Sequence, residues 1–268
     1  MSNSFVTTGD GRRLAYRLEG AEGMPVILFI NSIATTMQMW EENLPDFTNK
    51  YRVLLYDLRG HGASDAPAEP YSIDRLGYDV LEMLDELSIG KVHVVGLSLG
   101  GLVAQWLGIY APSRVSKLVI ANSFAYLAPR EERDELIKKL HSSADMSEFA
   151  TMFIRNWFSP EALEERGPRI TAFENDILTM QPHGLAGALA AVRDTDFRRP
   201  ITLIENPTLL IGGEHDKVTT LSLSRDIAAT IPNARLVTMP TFHLSNVQFP
   251  RDFFSVVDDF LSHGSQTR

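Results

Sequence analysis

The segment Gly96-Leu97-Ser98-Leu99-Gly100-Gly101 combines a reactive side chain with unusual backbone freedom. It lies where an apolar strand pattern ends and the helix pattern Leu102–Tyr110 begins. A G-x-S-x-G turn between strand and helix presents its serine on a sharp bend above the helix N-terminus. Gly96 and Gly100 leave room for that bend, so Ser98 is the predicted nucleophile. The competing interpretation is a serine that only caps the helix.

A serine hydroxyl is a weak nucleophile at neutral pH, so it needs a base and a carboxylate that orients the base. Asp216 lies just past the strand pattern Pro207–Gly213, and His243 follows the next strand pattern. The order Ser98, Asp216, His243 is the one that this type of turn predicts. We therefore predict these three as the catalytic residues, with Glu214 as the fallback for the acid.

The other candidate histidines have structural interpretations. His93 alternates within a strand pattern, which is typical of a packed or paired core residue. His61 lies in Arg59-Gly60-His61-Gly62 and is expected to shape a loop. His215 adjoins Asp216 and is too close to it in sequence to share its direction.

Acyl transfer through a serine also requires donors for the oxyanion of the tetrahedral intermediate, and backbone N–H groups usually supply them. One donor is expected from Leu99, the residue after the nucleophile. The second is expected from the loop Asn31-Ser32-Ile33-Ala34-Thr35, which follows an early strand pattern. Counting along this loop assigns the second donor to Ile33.

The elements that must position these residues alternate between apolar strand patterns and longer helical patterns. Nearly continuous apolar strands separated by helices predict a parallel sheet covered on both faces. Two earlier runs, Ser4–Thr8 and Arg12–Leu18, flank Gly9-Asp10-Gly11 and predict an antiparallel edge. The six parallel strand patterns are Pro25–Asn31, Arg52–Leu58, Lys91–Leu97, Lys117–Asn122, Pro207–Gly213 and Ala234–Pro240.

A helical insertion interrupts this alternation between Ser123 and Arg199, where no strong strand pattern occurs. Its clearest helical segments are Glu131–His141 and Ser147–Trp157. We predict a core formed by residues 1–122 and 200–268, with a helical cap of residues 123–199 between its two parts. The mixed charges of Glu131–Glu135 are expected to form a solvated helix face.

Composition narrows the function classes. The chain has 268 residues and a net charge of −9, which argues against a broadly basic nucleic-acid binder. Zero cysteines exclude disulfides, thiolate nucleophiles and cysteine-based metal sites. The longest apolar stretch, Met24–Ile30, is far shorter than the ~20 residues of a membrane span, and no secretory signal pattern is visible. We expect a cytoplasmic protein that acts on a small molecule, with its oligomeric state left open.

Taken together, these segments resemble the α/β-hydrolase family over essentially the whole chain. The closer likeness is to 3-oxoadipate enol-lactonases, through Asn31-Ser32-Ile33, Tyr56–Ser64, the Ser98 turn and His243-Leu244-Ser245-Asn246. Asn156-Trp157-Phe158 and Ala191–Arg198 in the cap are also similar. Ala34 departs from the pattern, since such lactonases usually have glycine there. The cap stretch Gln181–Leu185 also lacks an expected aromatic residue.

The resemblance implies an α/β-hydrolase fold with an eight-stranded, mostly parallel sheet, flanking helices and a cap. It also implies cofactor-free, metal-free hydrolysis of 3-oxoadipate enol-lactone to 3-oxoadipate, in aromatic catabolism. A carboxylate-bearing substrate needs a cation, for which Arg155 and Arg193 are candidates, unless they form salt bridges or face solvent. Trp157 is a candidate pocket wall or part of the cap core. The alternatives are a broad carboxylesterase, a cofactor-free perhydrolase or haloperoxidase, and a non-catalytic ligand-binding protein.

Overall fold

The structure, a computed structural model, describes residues 3–263 apart from the Asn43 side chain. The strands are β1 (Ser4–Thr7), β2 (Arg13–Glu19), β3 (Val26–Ile30), β4 (Arg52–Tyr56), β5 (Val92–Leu97), β6 (Val115–Ala121), β7 (Thr208–Gly213) and β8 (Ala234–Met239). The helices are α1 (Leu44–Thr48), α2 (Ile73–Glu86), α3 (Leu99–Tyr110), α4 (Arg130–Ser142), α5 (Ser147–Trp157), α6 (Pro160–Glu165), α7 (Pro168–Thr179), α8 (Pro182–Asp194), α9 (Leu221–Thr230), α10 (Ser245–Gln248) and α11 (Pro250–Ser262). Short 3₁₀ helices span Met37–Asn43, Pro112–Arg114 and Pro200–Leu203.

The strands form one eight-stranded sheet in the order β1-β2-β4-β3-β5-β6-β7-β8. β2 pairs antiparallel with β1 and with β4, and every other neighbouring pair is parallel. The predicted parallel sheet with an antiparallel edge is therefore confirmed. β3, β5, β6 and β7 are almost wholly buried because helices cover both faces, which explains their continuous apolar sequences.

Because the central strands are parallel, their carboxyl ends meet at one edge of the sheet. Asn31, Ser98, Asn122 and Asp216 follow β3, β5, β6 and β7 along this edge. α3 begins at Leu99, directly after the serine, three residues earlier than its sequence pattern indicated. Gly100 and Gly101 form part of the first turn, and their lack of side chains hid that turn from the apolar pattern.

Five helices, α4 to α8, lie between β6 and β7. α4 packs along α8, and α5 packs against α7. The division into core and cap stays a prediction, and its residues 1–2 and 264–268 lie outside the described residues. Within α4, the expectation of a fully solvated charged face is wrong at Arg133, which is 7% exposed, whereas Glu131 and Glu135 are exposed.

α8 contacts the loop that follows β4. Gly60 has φ +80°, and a Cβ atom there would lie 2.8 Å from the Gly184 carbonyl oxygen. Tyr71 donates its backbone N–H to the Gly187 carbonyl at 3.2 Å, and His183 Nε2 lies 2.9 Å from the Ala66 carbonyl oxygen. These contacts fix the N-terminal half of α8 on the core.

Candidate active site

Ser98 occupies a strained bend between β5 and α3. Its φ of 56° and ψ of −113° are rare for a residue with a side chain, and such strain is concentrated at functional sites. The Ser98 N–H donates to the Ala121 carbonyl at 2.9 Å, and the Ser98 carbonyl accepts from Ser123 Oγ at 2.8 Å. The bend is thus anchored to β6 and the residues after it, with Ser98 only 4% exposed.

The glycines of the bend are required by close backbone contacts. A Cβ atom on Gly96 would lie 2.1 Å from the Gly100 carbonyl oxygen. A Cβ atom on Gly100 would lie 2.2 Å from the Ile30 carbonyl oxygen. Both distances are far inside van der Waals contact, so the chain can turn this sharply only with glycine at these positions.

Asp216 and His243 lie together, as the sequence predicts. Asp216 Oδ2 is 2.9 Å from His243 Nδ1, and the two residues are 4% and 1% exposed. Glu214 and His215 are both exposed, so neither replaces Asp216 in this contact. The other ring nitrogen of His243, Nε2, makes no contact with this carboxylate.

Several donors surround the Asp216 carboxylate. Oδ1 accepts the backbone N–H groups of Val218 at 2.8 Å and Thr219 at 2.9 Å, and Oδ2 accepts Thr219 Oγ1 at 2.7 Å and Asn122 Nδ2 at 3.0 Å. Burial alone would raise the pKa of Asp216. The His243 ring, with the hydrogen bonds from Asn122 and Thr219, outweighs burial and lowers the pKa to about 2. The carboxylate is therefore ionised at neutral pH.

Asn122 joins three parts of the site, and the sequence analysis did not identify it. Its Nδ2 also lies 3.3 Å from the Phe242 carbonyl oxygen, and its Oδ1 accepts Ser245 Oγ at 2.6 Å. Asn122 thus links the Asp216 loop to the His243 loop while remaining fully buried. The one available signal was a polar residue directly after the apolar strand β6.

The loop after β3 lies beside this edge, with Asn31 as its anchor. Asn31 Nδ2 donates to the Tyr56 carbonyl at 3.0 Å, and Trp40 Nε1 donates to Asn31 Oδ1 at 2.9 Å. Further along, the Ala34 N–H donates to His61 Nε2 at 3.0 Å. His61 thus shapes this loop, while Ile33 stays the predicted donor of its oxyanion hydrogen bond.

In the described part of the chain, Ser98 Oγ makes no hydrogen bond to His243, whose ring nitrogen Nδ1 contacts Asp216 and Thr219. In structures without substrate, catalytic hydrogen bonds are often long and tighten when substrate binds. The serine, the ionised carboxylate and the imidazole nevertheless lie on the loops that follow β5, β7 and β8, at one edge of the sheet. Such a group can deprotonate the serine and stabilise the resulting imidazolium.

The three predicted substrate-binding residues have different surroundings. Arg193 Nη1 lies 2.9 Å from Asp134 and its Nη2 lies 2.6 Å from Asp194, so its charge is already balanced by carboxylates. Arg155 is exposed on α5. Trp157 is 1% exposed and packs on Phe153 of α5 and Phe173 of α7 with ring centroids 5.2 and 6.1 Å apart, so it belongs to the apolar packing between these helices. Direct substrate contact by these residues stays a prediction.

The described residues hold neither a metal-binding cluster nor a membrane-spanning helix. No group of three or more His, Asp or Glu side chains there is arranged to hold a metal ion. No helix within the same residues has the length and apolar character that crossing a membrane requires.

The family model of the alpha/beta hydrolase fold matches residues 25–250, and the chain belongs to this family of hydrolases. Among its relatives, 3-oxoadipate enol-lactonase 2 of Acinetobacter baylyi (strain ATCC 33305 / BD413 / ADP1) is 32% identical over 248 residues, which cover 91% of each chain.

Two solved structures share the whole architecture. A hydrolase from Pseudomonas aeruginosa PA01 is 50% identical, with a TM-score of 0.96 over 98% of this chain and 99% of that one. The enol-lactonase from Burkholderia xenovorans LB400 is 29% identical, with a TM-score of 0.94 over 97% of this chain and all of that one. The resemblance inferred from the sequence is therefore confirmed at the level of the family.

Proposed function

We propose that this protein is a serine hydrolase that opens a small lactone or carboxylic ester through an acyl-enzyme intermediate. The observation that supports this most directly is the buried Asp216–His243 pair beside the strained Ser98 bend. A strained serine, a neighbouring imidazole and an ionised carboxylate form the arrangement that serine acylation requires.

The reaction begins when His243 Nε2 removes the Ser98 Oγ proton as Oγ attacks the substrate carbonyl carbon. The carbonyl oxygen becomes an oxyanion, which accepts hydrogen bonds from the Leu99 and Ile33 N–H groups, each worth about 3 kcal/mol. Asp216 stabilises the imidazolium that forms, because its low pKa keeps it negatively charged.

The tetrahedral intermediate collapses when the bond from the carbonyl carbon to the leaving oxygen breaks. His243 gives its proton to that oxygen, and in a lactone the leaving group stays tethered to the acyl chain. His243 next deprotonates a water molecule, which attacks the acyl carbon. The bond from that carbon to Ser98 Oγ then breaks as His243 returns the proton to Oγ, and the acid is released. If the leaving oxygen belongs to an enol, the released enol tautomerises to a ketone.

The favoured substrate is 3-oxoadipate enol-lactone, with 3-oxoadipate as product. Support comes from the 32% identical curated enol-lactonase and from the 29% identical solved enol-lactonase, both matched along nearly their full lengths. Asn31-Ser32 and the His243–Asn246 segment, the features that distinguish this subgroup in the sequence, both lie beside the site: Asn31 anchors the loop after β3, and Ser245 binds Asn122.

The test compares kcat/KM for 3-oxoadipate enol-lactone with that for p-nitrophenyl acetate, using Ser98→Ala as the blank. We expect the lactone to react at least 100-fold faster, which corresponds to about 2.7 kcal/mol of preferential transition-state binding. The variant should be inactive on both substrates. Turnover of the ester alone would leave a carboxylesterase and overturn the lactonase proposal.

Two further outcomes distinguish the remaining alternatives. Ser98-dependent oxidation of a halide with acetate and hydrogen peroxide, faster than any ester or lactone hydrolysis, would indicate a perhydrolase. Tight binding of the lactone without turnover, measured by calorimetry, would indicate a ligand-binding protein and overturn the proposed hydrolase.

A further inference from the structure

The imidazole of His61 is buried and held in one tautomer. His61 is 1% exposed, and its Nε2 lies 3.0 Å from the Ala34 backbone nitrogen while its Nδ1 lies 3.0 Å from the Arg59 carbonyl oxygen. A backbone N–H can only donate, so Nε2 must be the unprotonated acceptor. Nδ1 therefore bears the proton and donates a hydrogen bond to the Arg59 carbonyl oxygen.

The backbone around His61 fixes the position of its ring. The His61 N–H donates to the Leu58 carbonyl at 2.9 Å, and the His61 carbonyl accepts from the Ser64 N–H at 3.0 Å. Gly60 and Gly62 on either side have φ values of +80° and +51°. The ring thus projects from a tightly folded turn, which makes it a rigid acceptor.

The acceptor matters because Ala34 is in an unfavourable conformation. Its φ is +59°, which costs an alanine about 1–2 kcal/mol and persists only where surrounding contacts impose it. Thr35 Oγ1 donates to the Ser32 carbonyl at 2.8 Å and closes the loop on one side. On the other side, the bond to His61 fixes the plane of the peptide that joins Ile33 to Ala34.

We propose that His61 is a positioning residue for the oxyanion hole. It holds the Ile33–Ala34 peptide, while the bond from Thr35 Oγ1 to the Ser32 carbonyl holds the preceding peptide, which carries the Ile33 N–H. Fixed on both sides of Ile33, the loop keeps the Ile33 N–H facing the reacting carbonyl. By binding the Ala34 N–H, His61 also removes that group as a competing donor. This inference rests on the proposed serine hydrolase function and assigns His61 no contact with substrate.

The nearby charged groups have other partners. Asp57 accepts the backbone N–H groups of Met37 at 2.7 Å and Ala63 at 2.9 Å, and the Arg59 guanidinium pairs with Asp79 and Asp10. Burial lowers the pKa of His61 to about 4. The ring is therefore neutral at pH 7 and available as an acceptor.

Three substitutions separate the acceptor function from the packing of the ring. His61→Gln keeps an acceptor for the Ala34 N–H and a donor for the Arg59 carbonyl. His61→Asn has the same amide group as His61→Gln, but its side chain is one methylene shorter. It therefore cannot reach both the Ala34 N–H and the Arg59 carbonyl. His61→Leu removes both bonds, and Ala34→Gly serves as a control that relieves the backbone strain and leaves His61 intact.

We expect His61→Gln and Ala34→Gly to keep kcat within about threefold of wild type. His61→Asn and His61→Leu should lower kcat by at least 10-fold at nearly unchanged KM, because an oxyanion contact strengthens only in the transition state. If His61→Leu does not fold, the Asn and Gln pair still decides the matter. Equal kcat in Asn and Gln variants that fold to wild-type stability would overturn the proposal.

A second readout does not depend on turnover. In ¹⁵N NMR spectra at pH 7, the His61 Nε2 resonance should have the shift of an unprotonated nitrogen, and the Ile33 and Ala34 amide resonances should move in His61→Asn but not in His61→Gln. Unmoved loop amides in His61→Asn would refute the positioning role even if the protein hydrolysed none of the tested substrates. If the wild type showed no Ser98-dependent activity on any tested substrate, the proposed function itself would be refuted.

Discussion

At the scale of single residues, the electrostatic state of Asp216 decides what His243 can do. Burial favours the neutral carboxyl, yet the adjacent His243 imidazole and the hydrogen bonds from Asn122 and Thr219 lower the pKa of Asp216 to about 2. A charged Asp216 fixes the proton of His243 on Nδ1 and leaves Nε2 unprotonated as a base.

Replacing this carboxylate by an amide should abolish most activity with little change of shape. We expect Asp216→Asn to lower kcat by about 10³–10⁴-fold, because the amide favours the wrong imidazole tautomer and cannot stabilise the imidazolium. Glu214→Gln is the matched control, since Glu214 is exposed, and it should change kcat less than twofold. Steady-state kinetics at pH 7 would contradict the assignment if Glu214→Gln lost the activity that Asp216→Asn retained.

At the scale of elements, the turn between β5 and α3 depends on glycines that allow two backbones to touch. Gly96→Ala should lower the free energy of unfolding by about 3 kcal/mol, because its Cβ would overlap the Gly100 carbonyl oxygen. Gly90→Ala, at an exposed position with nothing within 4 Å of the added atom, should change it by less than about 1 kcal/mol. Urea denaturation measures both, and similar losses in the two variants would contradict this account of the turn.

Much of this arrangement was predictable from sequence because it depends on local patterns. Continuous apolar runs predicted the parallel strands. Ser98 was predicted from its position directly after β5, and Asp216 from its position three residues after β7. The bridging contacts were not predictable. Asn122 is hydrogen-bonded to Ser245, 123 residues later in the sequence, and Ala34 to His61, 27 residues later. Sequence periodicity does not extend over such separations.

The contacts of helices α4 to α8 were also not predictable from sequence. The presence of these helices followed from the helical patterns between β6 and β7, but the partners of their charges did not. Arg193 pairs with Asp134 on α4, and Arg133 is buried, with its guanidinium donating to the Pro129 carbonyl. Which face of a helix meets a neighbouring helix depends on tertiary packing, and a mixed-charge run alone does not encode it.

At the scale of the whole molecule, buried neutral histidines make stability depend on pH. Burial lowers the pKa of His61 from an ordinary 6.5 to about 4, so the unfolded chain binds its proton more readily than the folded one. Stability must therefore fall as the pH decreases from about 6.5 to about 4, and level off for this residue below that range. His93, whose ring Nδ1 is buried without a partner in the described chain, acts in the same direction because burial also lowers its pKa to about 4.

Comparing wild type with His61→Gln isolates this effect from the buried Asp57 and the half-buried Asp176, whose raised pKa values act in the opposite direction. Between pH 7 and pH 5, wild type should lose about 2 kcal/mol more unfolding free energy than the variant. Urea denaturation at the two pH values gives the difference directly. An equal loss in both proteins would show that His61 is not buried in its neutral form.

The central claim is that Ser98 becomes acylated during turnover, and intact-mass spectrometry of an acid-quenched reaction with p-nitrophenyl acetate tests it most directly. We expect a mass increase of one acetyl group, mapped to the peptide that contains Ser98, and a burst of p-nitrophenol of about one equivalent per active site. Ser98→Ala should show neither signal. Wild-type turnover with no adduct on Ser98, or undiminished turnover in Ser98→Ala, would contradict the mechanism.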